Sequence, residues 1–140
     1  MALQRMGDCN MPSLLQVVEP WIAGSLLERR AAAAGLCEPR LLSEPVHARR
    51  VLEFLDCITS SLTAEVDRRS DDFRTLRQGL GYCWSVAVAA LPEEGKLAME
   101  KWLQCADPDV TWVMRENLKK NRLVRMDSVW VARCSQVLGI

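Results

Sequence analysis

The stretch from Asp107 to Met126 constrains the fold more than any other part of the chain, because several independent signals mark it as a capped helix. An aspartate precedes Pro108, and proline suits the first turn of a helix, where its missing N–H costs nothing. Apolar residues recur at helical spacing and form one stripe: Val110, Val113, Met114 and Leu118. Basic residues follow, where cations favour the negative end of the helix dipole. The stretch therefore predicts an amphipathic helix with a basic end.

A second copy of this helix begins at Asp71. In an alignment that places Asp109 on Asp71, Arg115 falls on Arg77, and further apolar positions coincide. Each copy follows a helix that begins after a proline-containing turn. The shift between the copies, roughly 40 residues, lies in the range of paired-helix repeats. The chain therefore has the sequence pattern of a helical repeat array.

At this point the chain resembles HEAT-repeat proteins, through its paired helices, its period and the Asp and Arg of each second helix. The resemblance covers about residues 43–126. It implies an all-α fold, a right-handed α-α superhelix that forms a short HEAT-like solenoid of antiparallel helix pairs. In that family the Asp and Arg residues form a ladder of hydrogen bonds between successive repeats. The resemblance assigns that structural role to Asp71, Arg77, Asp109 and Arg115. It also implies that Arg115→Ala lowers the free energy of unfolding by about 1–3 kcal/mol.

The remaining chain divides into a short leading segment and one domain. Residues 1–11 are short and mixed in character, and we expect a flexible N-terminus there. Residues 12–140 are expected to form a single HEAT-like α-helical repeat domain, because a chain of this length with 49% hydrophobic residues can bury a real core. Gly79 and Gly81 are costly inside a helix, so they predict the close approach of a neighbouring helix.

The overall charge argues against a dedicated nucleic-acid binder, while one segment is locally basic. Lys plus Arg and Asp plus Glu number 18 each, whereas nucleic-acid-binding domains usually carry a basic excess. Between Arg115 and Arg125, five basic residues stand against the single acid Glu116. Two interpretations stay open for this segment: a solvated helix end, or a contact with an anionic partner.

The cysteines and the single histidine do not form a recognisable metal or catalytic set. Six cysteines occur without a C-x-x-C pair, and His47 is the only histidine, which removes the usual zinc spacings. We therefore expect no enzyme activity, no cofactor and no metal. Several cysteines lie in apolar runs, as small buried hydrophobes do. This use of cysteine, with no leader-like segment and no apolar run of transmembrane length, predicts a cytoplasmic protein without a membrane partner.

Two functions are favoured by these patterns. The first is a non-catalytic scaffold that mediates protein–protein interaction, because stacked helix pairs offer an extended surface to another protein or peptide. The second is nucleic-acid binding, since the stretch from Asp109 to Arg115 resembles helices of the DNA alkylation-repeat proteins, which hold damaged DNA in a basic concave channel. An all-α enzyme or small-molecule pocket is the third alternative. The expected binding face consists of Arg74, Trp112, Glu116, Lys119, Lys120 and Arg122.

Overall fold

A computed structural model describes residues 2–140, and these residues form nine α-helices and three short 3-10 helices, with no β-strand among them. The all-α class is therefore confirmed for this part of the chain. The α-helices are α1 (Ala2–Cys9), α2 (Met11–Val18), α3 (Leu26–Leu36), α4 (Pro45–Thr63), α5 (Asp71–Ala90), α6 (Pro92–Glu100), α7 (Pro108–Leu118), α8 (Asn121–Met126) and α9 (Ser128–Val137). The 3-10 helices are Glu19–Ala23, Pro39–Leu42 and Lys101–Gln104.

Local capping chemistry sets the starts of three helices. Ser70, Asp107 and Asp127 precede α5, α7 and α9, and the side chain of each accepts a hydrogen bond from a backbone N–H of the first turn. These N–H groups have no acceptor within the helix, so the cap satisfies them. Pro20 lies just after α2, which ends at Val18, and the chain continues there as a 3-10 helix.

The leading segment differs from the flexible N-terminus that we expected for residues 1–11. Helix α1 occupies most of it, and Gly7 is buried beneath the side chains of Leu14 and Leu41. Leu3 packs against the core, and Met11 is itself part of the core. Non-local apolar contacts therefore join this segment to the domain that we had expected to begin at residue 12. Met1 lies outside the described residues.

Helix α5 lies at the centre of the domain and contacts α3, α4, α6, α7 and α8. Its largest core residue, Trp84, is fully buried, and its indole Nε1 donates a hydrogen bond to Thr59 Oγ1 of α4 at 2.9 Å. A buried tryptophan needs such a partner for its N–H. Both side chains are inaccessible to solvent, so this bond satisfies the indole N–H of Trp84, which water cannot reach. The bond also joins α4 to α5.

Two glycines allow helices to approach α5 closely. A Cβ at Gly81 would lie 3.2 Å from the ring of Trp112, so α7 approaches α5 there as the sequence predicts. A Cβ at Gly95 in α6 would lie 2.6 Å from the Cα of Val88, which is too close for any side chain without movement of the backbone. These contacts set the distances of α6 and α7 from the central helix.

Candidate cationic groove

The basic segment that the sequence places at the end of one helix lies at a corner between two helices. Helix α7 ends at Leu118, and the extended backbone of Lys120 (φ −73°, ψ 130°) separates it from α8. Leu123 of α8 is fully buried, and α8 packs against α5. This turn of the chain brings three basic side chains of the segment to one cavity beside α5.

This cavity, the cationic groove, has a volume of about 520 Å³. Its basic residues are Lys120, Arg122 and Arg125, and Tyr82 of α5 lies beside them. Its floor is apolar and includes the buried side chains of Leu42 and Val86. The groove thus combines positive charge near solvent with an apolar base.

Tyr82 orders two of the cations in the cationic groove. Arg122 Nη2 donates a hydrogen bond to Tyr82 Oη at 3.0 Å, and the guanidinium carbon lies 5.0 Å from the centre of the ring. Lys120 Nζ lies 6.0 Å from the same centre. Cation–π contacts at this kind of partly exposed position stabilise by about 0.5–1 kcal/mol each. The aromatic ring therefore holds positive charge at the mouth of the groove.

The cations of the cationic groove are not neutralised by acids of the same chain. Among residues 2–140, the ion pairs engage other basic residues, and Lys120, Arg122 and Arg125 have no carboxylate within 4.0 Å. The residues that line the groove also include no acid. A concave surface with one sign of charge concentrates ions of the opposite sign. The groove is therefore suited to an anionic ligand.

A second cavity, of about 350 Å³, adjoins Tyr82 on its other side. Its lining includes Arg30 and Glu38, so its charge is mixed. Cys37 and Cys83 also border it, and both are buried. The hydrogen bond that the Cys37 thiol donates to Cys83, followed by burial, raises the pKa of that thiol well above its usual value. That thiol stays protonated at neutral pH, in keeping with the role of small hydrophobe expected from the sequence.

The structure places only Lys120 and Arg122, of the six residues expected to form a binding face, in the cationic groove. Lys119 instead points to Glu116 one helical turn away, with 2.6 Å between its ammonium and the carboxylate. That exposed pair belongs to the surface of α7. The corner at Lys120 separates Lys119 from the groove cations, although they are neighbours in sequence.

The remaining residues of the expected face, Arg74 and Trp112, lie outside the cationic groove and contact other residues. Arg74 is exposed on the first turn of α5 and faces Asp71 at 3.4 Å. Trp112 is half-buried between α5 and α7, with the guanidinium of Arg77 stacked over its ring at 4.3 Å from the centre. The six residues are therefore not one surface, and Trp112 belongs to the packing of α7 on α5.

The structure brings together one Asp and one Arg of the four expected ladder residues. Arg77 Nη1 of α5 lies 3.1 Å from Asp109 Oδ1 of α7. Arg68, in the connection before α5, adds a second contact at 3.0 Å to Asp109 and a third at 2.8 Å to Asp107. This cluster joins α7 to the start of α5 through two carboxylates and two guanidinium groups. Arg68 was not identified from the sequence because it lies outside the repeated pattern.

The other two expected ladder residues, Asp71 and Arg115, do not join neighbouring helix pairs. The side chain of Asp71 is 94% exposed and faces Arg74 of the same helix. Arg115 is exposed, and its Nη2 donates a hydrogen bond to the carbonyl oxygen of Leu138 beyond α9 at 3.2 Å. Asp71 has no arginine of an earlier repeat to meet because its copy comes first in the pattern, and Arg115 has no aspartate of a later repeat to meet because its copy comes last. These positions correct the four-residue ladder to a single Arg77–Asp109 rung.

Asp107 gives the folded state a predictable dependence on pH. Its hydrogen bond from Arg68, followed by those from the N–H groups of Val110 and Asp109, holds its pKa below the usual value. The resulting stabilisation is complete above the unfolded-state pKa of about 3.9 and is lost as the pH falls through the lower folded-state pKa. We expect Asp107→Asn, which keeps a good N-cap but loses the charge, to flatten this acid-dependent loss in urea titrations at a series of pH values. If the free energy of unfolding of Asp107→Asn depends on pH as steeply as that of the wild type, Asp107 is not the source of the acid-dependent loss.

Asn117 and Tyr82 contribute to these features, although sequence patterns did not identify them. Asn117 is fully buried, accepts a hydrogen bond from the N–H of Ser85 at 2.8 Å and donates one to the carbonyl of Leu80 at 2.8 Å. An asparagine in a helix next to an apolar stripe is the only signal that could have marked it. Tyr82 is the only tyrosine of the chain, and nothing local links it to a segment so far along the sequence.

Within residues 2–140, no group of three or more His, Cys, Asp or Glu side chains has a metal-binding arrangement, and none of the helices described there is long and apolar enough to cross a bilayer. His47 lies near Glu44, with 3.8 Å between Nδ1 and a carboxylate oxygen.

Comparison of this chain with known protein families, with curated proteins and with solved structures finds no match.

Proposed function

We propose that the chain is a short HEAT-like solenoid, a right-handed α-α superhelix in which α4 pairs with α5, and α6 pairs with α7 through the 3-10 helix Lys101–Gln104 that continues α6. Three contacts support this arrangement. Helix α5 has α3 and α7 as neighbours, as the second helices of successive pairs would be. Helices α4 and α6 contact each other and both contact α5, as first helices would. The Arg77–Asp109 bond joins the two second helices in the way that the resemblance to HEAT repeats implies.

We further propose that the protein is a non-catalytic scaffold that binds another protein along the exposed side of α5. The observation that carries this proposal is the pair of adjacent cavities that meet at Tyr82, one of about 520 Å³ and one of about 350 Å³. Together they form a depression along one side of α5, between α3 and α8. Helical repeat arrays use extended surfaces of this kind for recognition of proteins and peptides.

Site-specific photo-crosslinking in the native host tests the scaffold. Gln78 is exposed on α5 and borders the second cavity, whereas Leu97 is exposed on α6 and borders neither cavity. With a photoreactive amino acid at position 78, we expect discrete adducts whose added mass is protein. The same residue at position 97 serves as the matched control and should give few adducts. Equal adducts at both positions, or none at position 78, would contradict the proposal.

Nucleic-acid binding is the second candidate, and one observation favours it: cations without acidic partners surround an exposed aromatic ring. Single-stranded nucleic acids bind to surfaces that combine these two features. This alternative predicts anisotropy changes with a labelled oligonucleotide that weaken steeply as salt rises. It also predicts nucleic-acid adducts, rather than protein adducts, from the photoreactive residue at position 78.

A further inference from the structure

The cationic groove offers two different surfaces to one ligand, and this combination limits what it can bind. Lys120, Arg122 and Arg125 supply positive charge, and Leu42 and Val86 supply an apolar floor. A simple inorganic anion would leave the floor in contact with water, and a purely apolar ligand would leave the cations without a partner. The best-matched ligand carries an apolar group between anionic groups.

The spacing of the cations indicates how the anionic groups should be arranged. Arg122 and Arg125 are three residues apart on α8, which places them on one side of that helix with a rise of roughly 4.5 Å between them. In an extended peptide, alternate side chains point to the same side and are separated by roughly 6.6 Å. Flexible arginine side chains readily span this small difference. Carboxylates two residues apart can therefore meet the two guanidinium groups, while the side chain between them points to the floor.

Resting on the scaffold function proposed above, we infer that the cationic groove binds an extended acidic segment of a partner protein with the pattern acid–apolar–acid. Tyr82 positions Arg122 through the 3.0 Å bond at Oη, and only one of the five guanidinium N–H donors is used in that bond. The remaining donors are available for a carboxylate. The ring of Tyr82 also gives the apolar side chain an additional contact surface.

The charges around the cationic groove favour a peptide over a nucleic-acid strand. A strand carries a phosphate at every nucleotide, and strand-binding surfaces track it with cations over roughly 4–16 nucleotides. Beyond Tyr82 the depression becomes mixed in charge, because Glu38 borders the second cavity beside Arg30. The three groove cations thus lie together in one concavity of about 520 Å³, a volume that suits a few peptide residues.

Fluorescence anisotropy with a labelled peptide whose centre reads Glu-Leu-Glu tests this inference. We expect saturable binding that is weakened by roughly tenfold or more in Arg122→Gln, which corresponds to about 1.4 kcal/mol, because the variant removes a charge-assisted hydrogen bond to the peptide carboxylate. Replacement of the central Leu by Ser in the peptide should weaken binding, and a Lys-Leu-Lys peptide should not bind. Tyr82→Phe, which keeps the ring, should weaken binding less than Arg122→Gln.

The matched control is Arg133→Gln, which removes one positive charge from an exposed position of α9 that lines neither cavity. Circular dichroism should show unchanged unfolding midpoints for both variants. An equal loss of peptide affinity in Arg122→Gln and Arg133→Gln would overturn the inference. Tighter binding of a single-stranded oligonucleotide than of the peptide would overturn it as well. If Arg122→Gln leaves the peptide affinity unchanged while protein adducts still form at position 78, the acidic-segment inference is wrong and the scaffold proposal still holds. If no protein adducts form, the scaffold itself fails.

Discussion

Replacement of Asn117 by alanine is expected to lower the free energy of unfolding by about 2–4 kcal/mol, a large effect for one side chain, because Asn117 is buried between two helices. Asn117 is inaccessible to solvent, and its amide Oδ1 is the acceptor for the N–H of Ser85. Its Nδ2 donates to the carbonyls of Leu80 and Val113, so one side chain joins α5 to α7. In the alanine variant the buried N–H of Ser85 loses this acceptor and water cannot reach it.

The adjacent residue provides the control for Asn117. Glu116→Ala keeps the Cβ that contacts Gly81, and it loses only an exposed pair with Lys119. Exposed pairs contribute about 0–1 kcal/mol, so this variant should unfold close to the wild type. Urea unfolding followed by circular dichroism measures both changes. Equal midpoints for the two variants would show that the Asn117 bonds do not stabilise the folded state.

The starts of α5, α7 and α9 could be predicted from sequence because their causes are local. A capping side chain and the N–H group that it accepts from lie within three residues of each other, so Ser70, Asp107 and Asp127 carry the whole signal. The close approach at Gly81 could be predicted for the same reason, because the glycine itself is unfavourable in a helix without a compensating contact.

The cationic groove could not be predicted in the same way, because it depends on where distant segments meet. The basic residues after Leu118 continue a helical pattern, yet the chain turns at Lys120 and buries Leu123 against α5. Tertiary packing of one leucine outweighed the local preference for a longer helix. Only after that turn do Arg122 and Tyr82 come within hydrogen-bonding distance.

The Arg77–Asp109 rung shows how far the repeat pattern extends. The pattern correctly indicated residues that face each other across α5 and α7, but it supplied no partner for its first aspartate or its last arginine. Arg68 lies outside the pattern and nevertheless contacts both Asp107 and Asp109. Those contacts, first the hydrogen bonds to Asp107 and Asp109, raise the pKa of the Arg68 guanidinium above its ordinary value. The stabilising unit is therefore a cluster of charges around the start of α7.

Removal of the Asp109 carboxylate is the second change with a large expected effect. In Asp109→Ala, Arg77 and Arg68 each lose a contact, at 3.1 Å and 3.0 Å respectively. Hydrogen bonds to charged groups contribute about 1.5–3 kcal/mol, and the carboxylate is only 17% exposed, so we expect the free energy of unfolding to fall by about 2–3 kcal/mol. Arg77 Nε is already buried without a partner, which leaves this guanidinium poorly satisfied once Asp109 is removed.

Two matched variants distinguish the contribution of this charge cluster to stability from the general effect of a charge near a helix end. Asp71→Ala removes an exposed aspartate from the first turn of α5 and should cost about 0.3–1 kcal/mol, the usual contribution of the helix dipole. Arg115→Ala removes one exposed hydrogen bond and should cost about 0.5 kcal/mol or less, below the loss that the HEAT resemblance alone implies. A double-mutant cycle between Arg77→Ala and Asp109→Ala should give a coupling energy of about 1 kcal/mol or more. A coupling near zero, with equal losses in Asp71→Ala and Asp109→Ala, would mean that α7 is held to α5 by apolar packing and by Asn117 alone.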